Sequence, residues 1–118
     1  MAKKIMIVDD DPEIIEFLKT LFTDNGYAIC TANDGEVALD VIKKEKPDLI
    51  TLDLEMPNEW GPRFFRKYSQ LPEFKDTPVI VISGLEGHDQ SIRKAVAAIR
   101  KPFDPAEVLK HVQAAIGK

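Results

Sequence analysis

Short β-branched apolar runs alternate with segments of helical spacing along the whole chain, and that alternation restricts the fold more than any other feature. Lys4–Val8 is such a run, and it stops abruptly at Asp9-Asp10-Asp11. Residues 27–31, 48–52 and 79–82 read as further strands, and 97–100 as a fifth. Between the first two, residues 12–25 set Ile14, Leu18, Leu21 and Phe22 on one helical face. Asp11 suits the N-cap, Pro12 the first helical position and Gly26 the stop. Residues 34–46 predict a second helix with Ala38, Val41 and Ile42 inward, ended by Pro47. A third helix is expected over 62–71, a short fourth over 88–96, and a last over 104–116. That last helix has Asp104 as N-cap, Pro105 next, and Val108, Leu109, Val112, Ala115 and Ile116 apolar. Strands apolar on both faces, joined by helix-length crossovers, predict a parallel sheet covered on both sides. Such crossovers are nearly always right-handed, which gives an open, doubly wound α/β domain.

Composition limits what that domain can be. The 118 residues fit one domain, 1–118, and no output domain is expected beside it. A net charge of -4, with acids near each lysine pair, argues against nucleic acid as a partner. The first apolar run is too short for a signal peptide or a membrane span, so no membrane partner and a cytoplasmic location are expected. The lone Cys30 can form no internal disulfide and reads as a small core residue. His88 and His111 have no partners at metal-ligand spacing and read as surface residues. Met56 and Trp60 read as local packing, and Phe64, Phe65 and Tyr68 as core, with Phe65 a candidate exposed contact.

The polar residues gather at one edge of the expected sheet. Asp9 and Asp10 end the first strand, Asp53 the third, Ser83 the fourth and Lys101 the fifth. The carboxyl ends of parallel strands share an edge where ligands bind, so these five residues meet in one crevice. Three carboxylates at close quarters raise one another's pKa values unless a cation lies among them. Oxygen ligands without His or Cys suit a hard ion such as Mg²⁺. A carboxylate can itself be a nucleophile toward phosphorus, and a nearby ammonium and hydroxyl can gather phosphoryl oxygens. The chain contains no Walker-type phosphate loop, which argues against a bound nucleotide. Each residue also has a plainer reading. Asp9, Asp10 and Asp11 could be a helix-capping cluster, Asp53 and Ser83 turn residues, and Lys101 a surface lysine. Asp11 is assigned mainly to capping; the convergence of the others outweighs the plainer reading.

Four segments in this order resemble the receiver domains of bacterial response regulators over essentially the whole chain. They are Ile5-Met6-Ile7-Val8-Asp9-Asp10-Asp11-Pro12, Leu52-Asp53-Leu54-Glu55-Met56-Pro57, Val79-Ile80-Val81-Ile82-Ser83-Gly84 and Lys101-Pro102-Phe103. The resemblance implies a flavodoxin-like five-stranded sheet in the order 2-1-3-4-5. It implies that Asp53 accepts a phosphoryl group in a Mg²⁺-dependent reaction. The metal ligands would be Asp10, Asp53 and the backbone carbonyl of Glu55, with Asp9 in the same pocket acting through water. Ser83 and Lys101 would bind the phosphoryl oxygens, and the Lys101-Pro102 bond would be cis. The donor would be a phosphohistidine on a sensor histidine kinase or a histidine phosphotransfer protein. The output would be changed binding to a downstream protein, with no enzymatic activity beyond the domain's own phosphorylation and dephosphorylation.

Two departures from the family stand out. The stretch between Ser83 and Lys101 is short, so the fourth helix is expected to be short or irregular. The position three before the lysine, aromatic in the family, is Ala98. An alanine has no χ rotamers through which to report phosphorylation, so coupling to partners is expected through the backbone of residues 83–87. A haloacid-dehalogenase-type enzyme also uses an aspartate nucleophile, but its motif requires Asp where Glu55 stands. The other alternative is a pseudo-receiver that binds proteins without being phosphorylated; retention of all five site positions argues against it.

Overall fold

The computed structural model describes residues 2–56, 60–84 and 97–117, with the backbone alone at 60–62 and 83. The elements in chain order are β1 (Lys4–Val8), α1 (Pro12–Asp24), β2 (Ala28–Ala32), α2 (Gly35–Glu45) and β3 (Leu49–Leu52). Then come α3 (Trp60–Ser69), β4 (Val79–Ser83), β5 (Ala97–Arg100) and α4 (Pro105–Ile116). All strand pairs are parallel and the order is β2-β1-β3-β4-β5, as the resemblance implied. The helix expected at 88–96 lies outside the described residues, as do residues 85–87 of the segment expected to carry coupling to partners.

Alternate residues of each strand point to opposite faces, and both faces are buried. Met6, Val8, Ile50, Leu52, Val79 and Val81 pack on one side with Ala38, Ile42, Phe64 and Tyr68 of α2 and α3. Ile5, Ile7, Leu49, Ile80, Ile82 and Ile99 pack on the other with Leu18, Phe22, Val108 and Val112 of α1 and α4. This two-sided burial is why the strands read as continuous apolar runs rather than as alternating ones. Phe65 and Cys30 are half-buried against the first of these cores. Burial, and secondarily the charge of Glu45, pushes the Cys30 thiol up to about 11, so it stays protonated.

Helix ends follow the expected chemistry. The Asp11 carboxylate accepts from the Glu13 N–H, that of Asp34 from Val37 and that of Asp104 from Ala106. Lys46 adopts φ 49 at the end of α2, immediately before Pro47. Some boundaries differ from the sequence reading for local reasons. Tyr27 is not in β2, because its N–H bonds the Phe22 carbonyl and so belongs to the exit of α1, where Gly26 takes φ 88. Asp48 precedes β3 and accepts from the Lys4 N–H at 2.8 Å. The third helix begins two residues before Pro62, whose missing N–H falls in a first turn that has no intrahelical partner to offer. No helix among the described residues is long and apolar enough to cross a membrane.

Candidate functional site

Strand register brings the acidic residues to one level. Val8 pairs with Leu52, so Asp9 and Asp53 leave the sheet side by side. The Asp53 N–H donates to the Val8 carbonyl, and the Asp9 N–H to that of Ala32. Asp9 and Asp53 are each only 2% exposed, whereas Asp10 is exposed. One carboxylate oxygen from each of Asp9, Asp10 and Asp53 lies within 4.8 Å of those of the other two. Across the sheet, Ser83 pairs with Arg100, so Lys101 emerges beside the end of β4. Its ammonium donates to Asp9 Oδ2 at 2.9 Å and stands 3.7 Å from Asp53 Oδ2. The Lys101-Pro102 bond is cis.

Glu55 belongs to the same turn. Its N–H donates to Asp53 Oδ1 at 3.0 Å, which fixes the orientation of that carboxylate. The Glu55 carbonyl, expected as a metal ligand, is carried by this turn. Ser83 ends β4 at the same edge, and its side chain lies outside the description. Met56 is buried against the α2–α3 side, as local packing requires. The side chain of Trp60 lies outside the described residues, as does His88; His111 is half-buried on α4.

The electrostatics follow from burial. Burial pushes the Asp53 carboxyl up to about 6; the Glu55 N–H opposes this, Asp9 adds to it, Lys101 opposes it and Asp10 adds to it. Burial alone would lower the Lys101 pKa. The Asp9 hydrogen bond and the charges of Asp53, Asp9 and Glu55 outweigh it, and the net shift is upward. Against three carboxylates Lys101 brings a single positive charge. Two buried acids with a third at the rim are stable when a hard cation joins them, and the donors are all oxygen, so the residues present fit Mg²⁺.

Two features of the site were not read from the sequence. Phe17 projects from α1 with 47% exposure and meets the Phe103 ring edge-on at 5.6 Å. With Glu13, Ile14, Lys101 and Pro102 these rings line a depression adjoining the acidic pocket. The signal available was an aromatic residue off the apolar face of the first helix. The second feature is the closeness of Gly84 to Glu55, which no periodicity announces.

Comparison with known proteins gives the family. The model of the response regulator receiver domain matches residues 5–113. Protein Rrf1 of Nitratidesulfovibrio vulgaris is 34% identical over 116 residues, covering 98% of this chain and 84% of that protein. Response regulator GtcR of Aneurinibacillus migulanus is 36% identical over 118 residues, and this chain spans 48% of its length. Among solved structures, chemotaxis response regulator CheY4 of Vibrio cholerae superposes with a TM-score of 0.90 at 28% identity, covering 98% of this chain and 100% of that one. The sheet order, the acidic edge and the match over residues 5–113 agree, and the chain belongs to the response regulator receiver domains of two-component signalling.

Proposed function

We propose that Asp53 is the phosphoryl acceptor of this receiver domain. The observation that carries this reading is a buried carboxylate held by the Glu55 amide, within 4.8 Å of two further acids and 3.7 Å from the Lys101 ammonium. A carboxylate so oriented is prepared for in-line attack, because phosphoryl transfer asks mainly for position and charge neutralisation. An Asp53 oxygen attacks phosphorus, the P–N bond of a phosphohistidine breaks, and its electron pair goes to the imidazole nitrogen. The product is an acyl phosphate on Asp53. Asp10, Asp53 and the Glu55 carbonyl would hold Mg²⁺ directly, with Asp9 acting through water. The ion supplies positive charge toward the phosphoryl oxygens when bound. Lys101 turns from Asp9 to a phosphoryl oxygen, and the Ser83 hydroxyl donates to another.

Receiver domains interact with histidine kinases or phosphotransfer proteins, and one of these is the proposed donor. The exposed Phe17 ring and the half-buried Phe103 ring beside Lys101 offer an apolar face on which such a donor can dock within reach of Asp53. The chain catalyses only its own phosphorylation and dephosphorylation, and the acyl phosphate alters binding to a downstream protein. Intact-protein mass spectrometry after incubation with acetyl phosphate and Mg²⁺ tests the acceptor role. One phosphoryl mass is expected, absent from Asp53→Asn and from a chelated sample. Metal binding with no phosphoryl gain from acetyl phosphate or a kinase would instead make the chain a pseudo-receiver.

A further inference from the structure

Gly84 lies outside the left-handed backbone region; among the described glycines only Gly26 and Gly117 have positive φ. Its conformation therefore does not call for glycine. Space does. A Cβ at position 84 would stand 2.9 Å from Glu55 Oε1 and 4.0 Å from the Cβ of Lys101. The Glu55 carboxylate thus reaches from the turn after β3 onto the backbone that follows β4, beside the stem of Lys101. Its charge is among those acting on the Lys101 ammonium. Glu55 therefore engages the site twice: its amide orients Asp53, and the charge of its exposed carboxylate acts on the cation that a phosphoryl group needs.

We propose that the Glu55 carboxylate, seated on Gly84, is an anionic latch that an incoming phosphoryl group must displace. This rests on the reading of Asp53 as acceptor. With acetyl phosphate as donor, an Asp53 oxygen bonds to phosphorus, the P–O bond to the acetyl group breaks, and acetate leaves with the electron pair. The donor is an anion, and a carboxylate beside Lys101 both repels it and competes for its cation. By Coulomb's law a unit charge at a separation of roughly 6 Å changes an encounter by about threefold through largely aqueous surroundings, and by about tenfold at half that dielectric constant. The contact at position 84 is with the flexible end of a side chain, so Gly84→Ala evicts the carboxylate without distorting the sheet. Glycine at 84 and glutamate at 55 together set the rate of phosphoryl uptake; Gly84 is a positioning residue.

The test is the rate of phosphoryl uptake from acetyl phosphate with Mg²⁺, at low and at high salt. The proteins compared are the natural one, Glu55→Gln, Glu55→Ala, Gly84→Ala and the double variant Gly84→Ala/Glu55→Ala. Each single variant is expected to take up phosphoryl about threefold to tenfold faster at low salt, with the gap narrowing as salt screens the charge. The double variant is expected to match Glu55→Ala, because Gly84 acts only through Glu55. Uptake by Glu55→Gln at the natural rate and salt dependence would overturn the latch, as would a Gly84→Ala effect of equal size with and without Glu55. Absence of phosphoryl gain in the natural protein as well would overturn the acceptor reading itself, so the two failures are distinct.

Discussion

Replacing Asp53 with asparagine should stabilise the metal-free domain at neutral pH, although it removes the nucleophile. Burial raises the Asp53 carboxyl to about 6 against the usual 3.8. Between those values the folded chain binds more protons than the unfolded one, so stability falls as pH rises through the window. Above about pH 6 the folded state carries the full cost of an ionised buried carboxylate; below about pH 4 it carries none. The gap corresponds to about 3 kcal/mol. Asp53 is only 2% exposed, yet it sits at the sheet rim beside exposed Asp10, and solvent screening there reduces the figure to roughly 1.5 kcal/mol. Asparagine keeps the shape and an oxygen for the Glu55 N–H, while Lys101 retains Asp9.

A chain of 118 residues unfolds with an entropy of about 0.25 kcal/mol/K, so the variant should melt about 6 °C higher near pH 7.5 in chelator. The advantage should shrink to nothing by about pH 4, where the natural Asp53 is protonated. Thermal melts of both proteins across this range provide the check. Saturating Mg²⁺ should reverse the order, because the ion stabilises the natural protein by about 2.7 kcal/mol at a hundred times its Kd and loses a ligand in the variant. Equal melting at neutral pH, or an advantage that grows on acidification, would refute the reasoning that burial dominates at Asp53.

Three further outcomes follow from the same geometry. Lys101→Met leaves Asp9 and Asp53 without their shared ammonium and should slow uptake from acetyl phosphate about a hundredfold, read by intact mass against time. Phe17→Ala should leave uptake from acetyl phosphate unchanged and cost under about 0.5 kcal/mol of stability, while uptake from a phosphohistidine protein drops about tenfold. Tyr27→Phe removes the 2.7 Å hydrogen bond from the Tyr27 hydroxyl to the Gly117 carbonyl. Urea unfolding should show a loss of about 1 kcal/mol, with faster amide exchange in the last turn of α4.

The fold was legible because each strand must be apolar on both faces. Ile5 and Ile7 serve one core, Met6 and Val8 the other, and no other arrangement accounts for runs of that kind between amphipathic helices. The gathering of Asp9, Asp53 and Lys101 was legible for a topological reason, since parallel strands end at a common edge whatever their register. What the sequence did not disclose depends on distances between loops. Gly84 reads as one more turn glycine until its gap to Glu55 is measured. Phe17 escaped because helical spacing tells which residues face inward, not which outward residue will find a companion such as Phe103. Thr51 is a third case: it lies buried in β3 among apolar neighbours with its hydroxyl unpaired, a cost that strand propensity conceals.

Ala98 bears on how a partner could sense the state of Asp53. It lies on β5 in register with Val81, exposed, and three residues before Lys101. An aromatic side chain there would have rotamers to exchange, one buried and one outward, but a methyl group has none. On the reading proposed above, the groups displaced by an arriving phosphoryl group are the Lys101 ammonium, which stands on Asp9, and the Glu55 carboxylate, which stands against Gly84. Displacement of Glu55 would move its charge away from Gly84, at the surface edge of the sheet. A receiver domain wired in this way would present phosphorylation to its partner as a change in local charge at the mouth of the site. The same carboxylate would then slow entry of the phosphoryl group and mark its presence, because it cannot remain beside Lys101 once the lysine has turned to the phosphoryl oxygen.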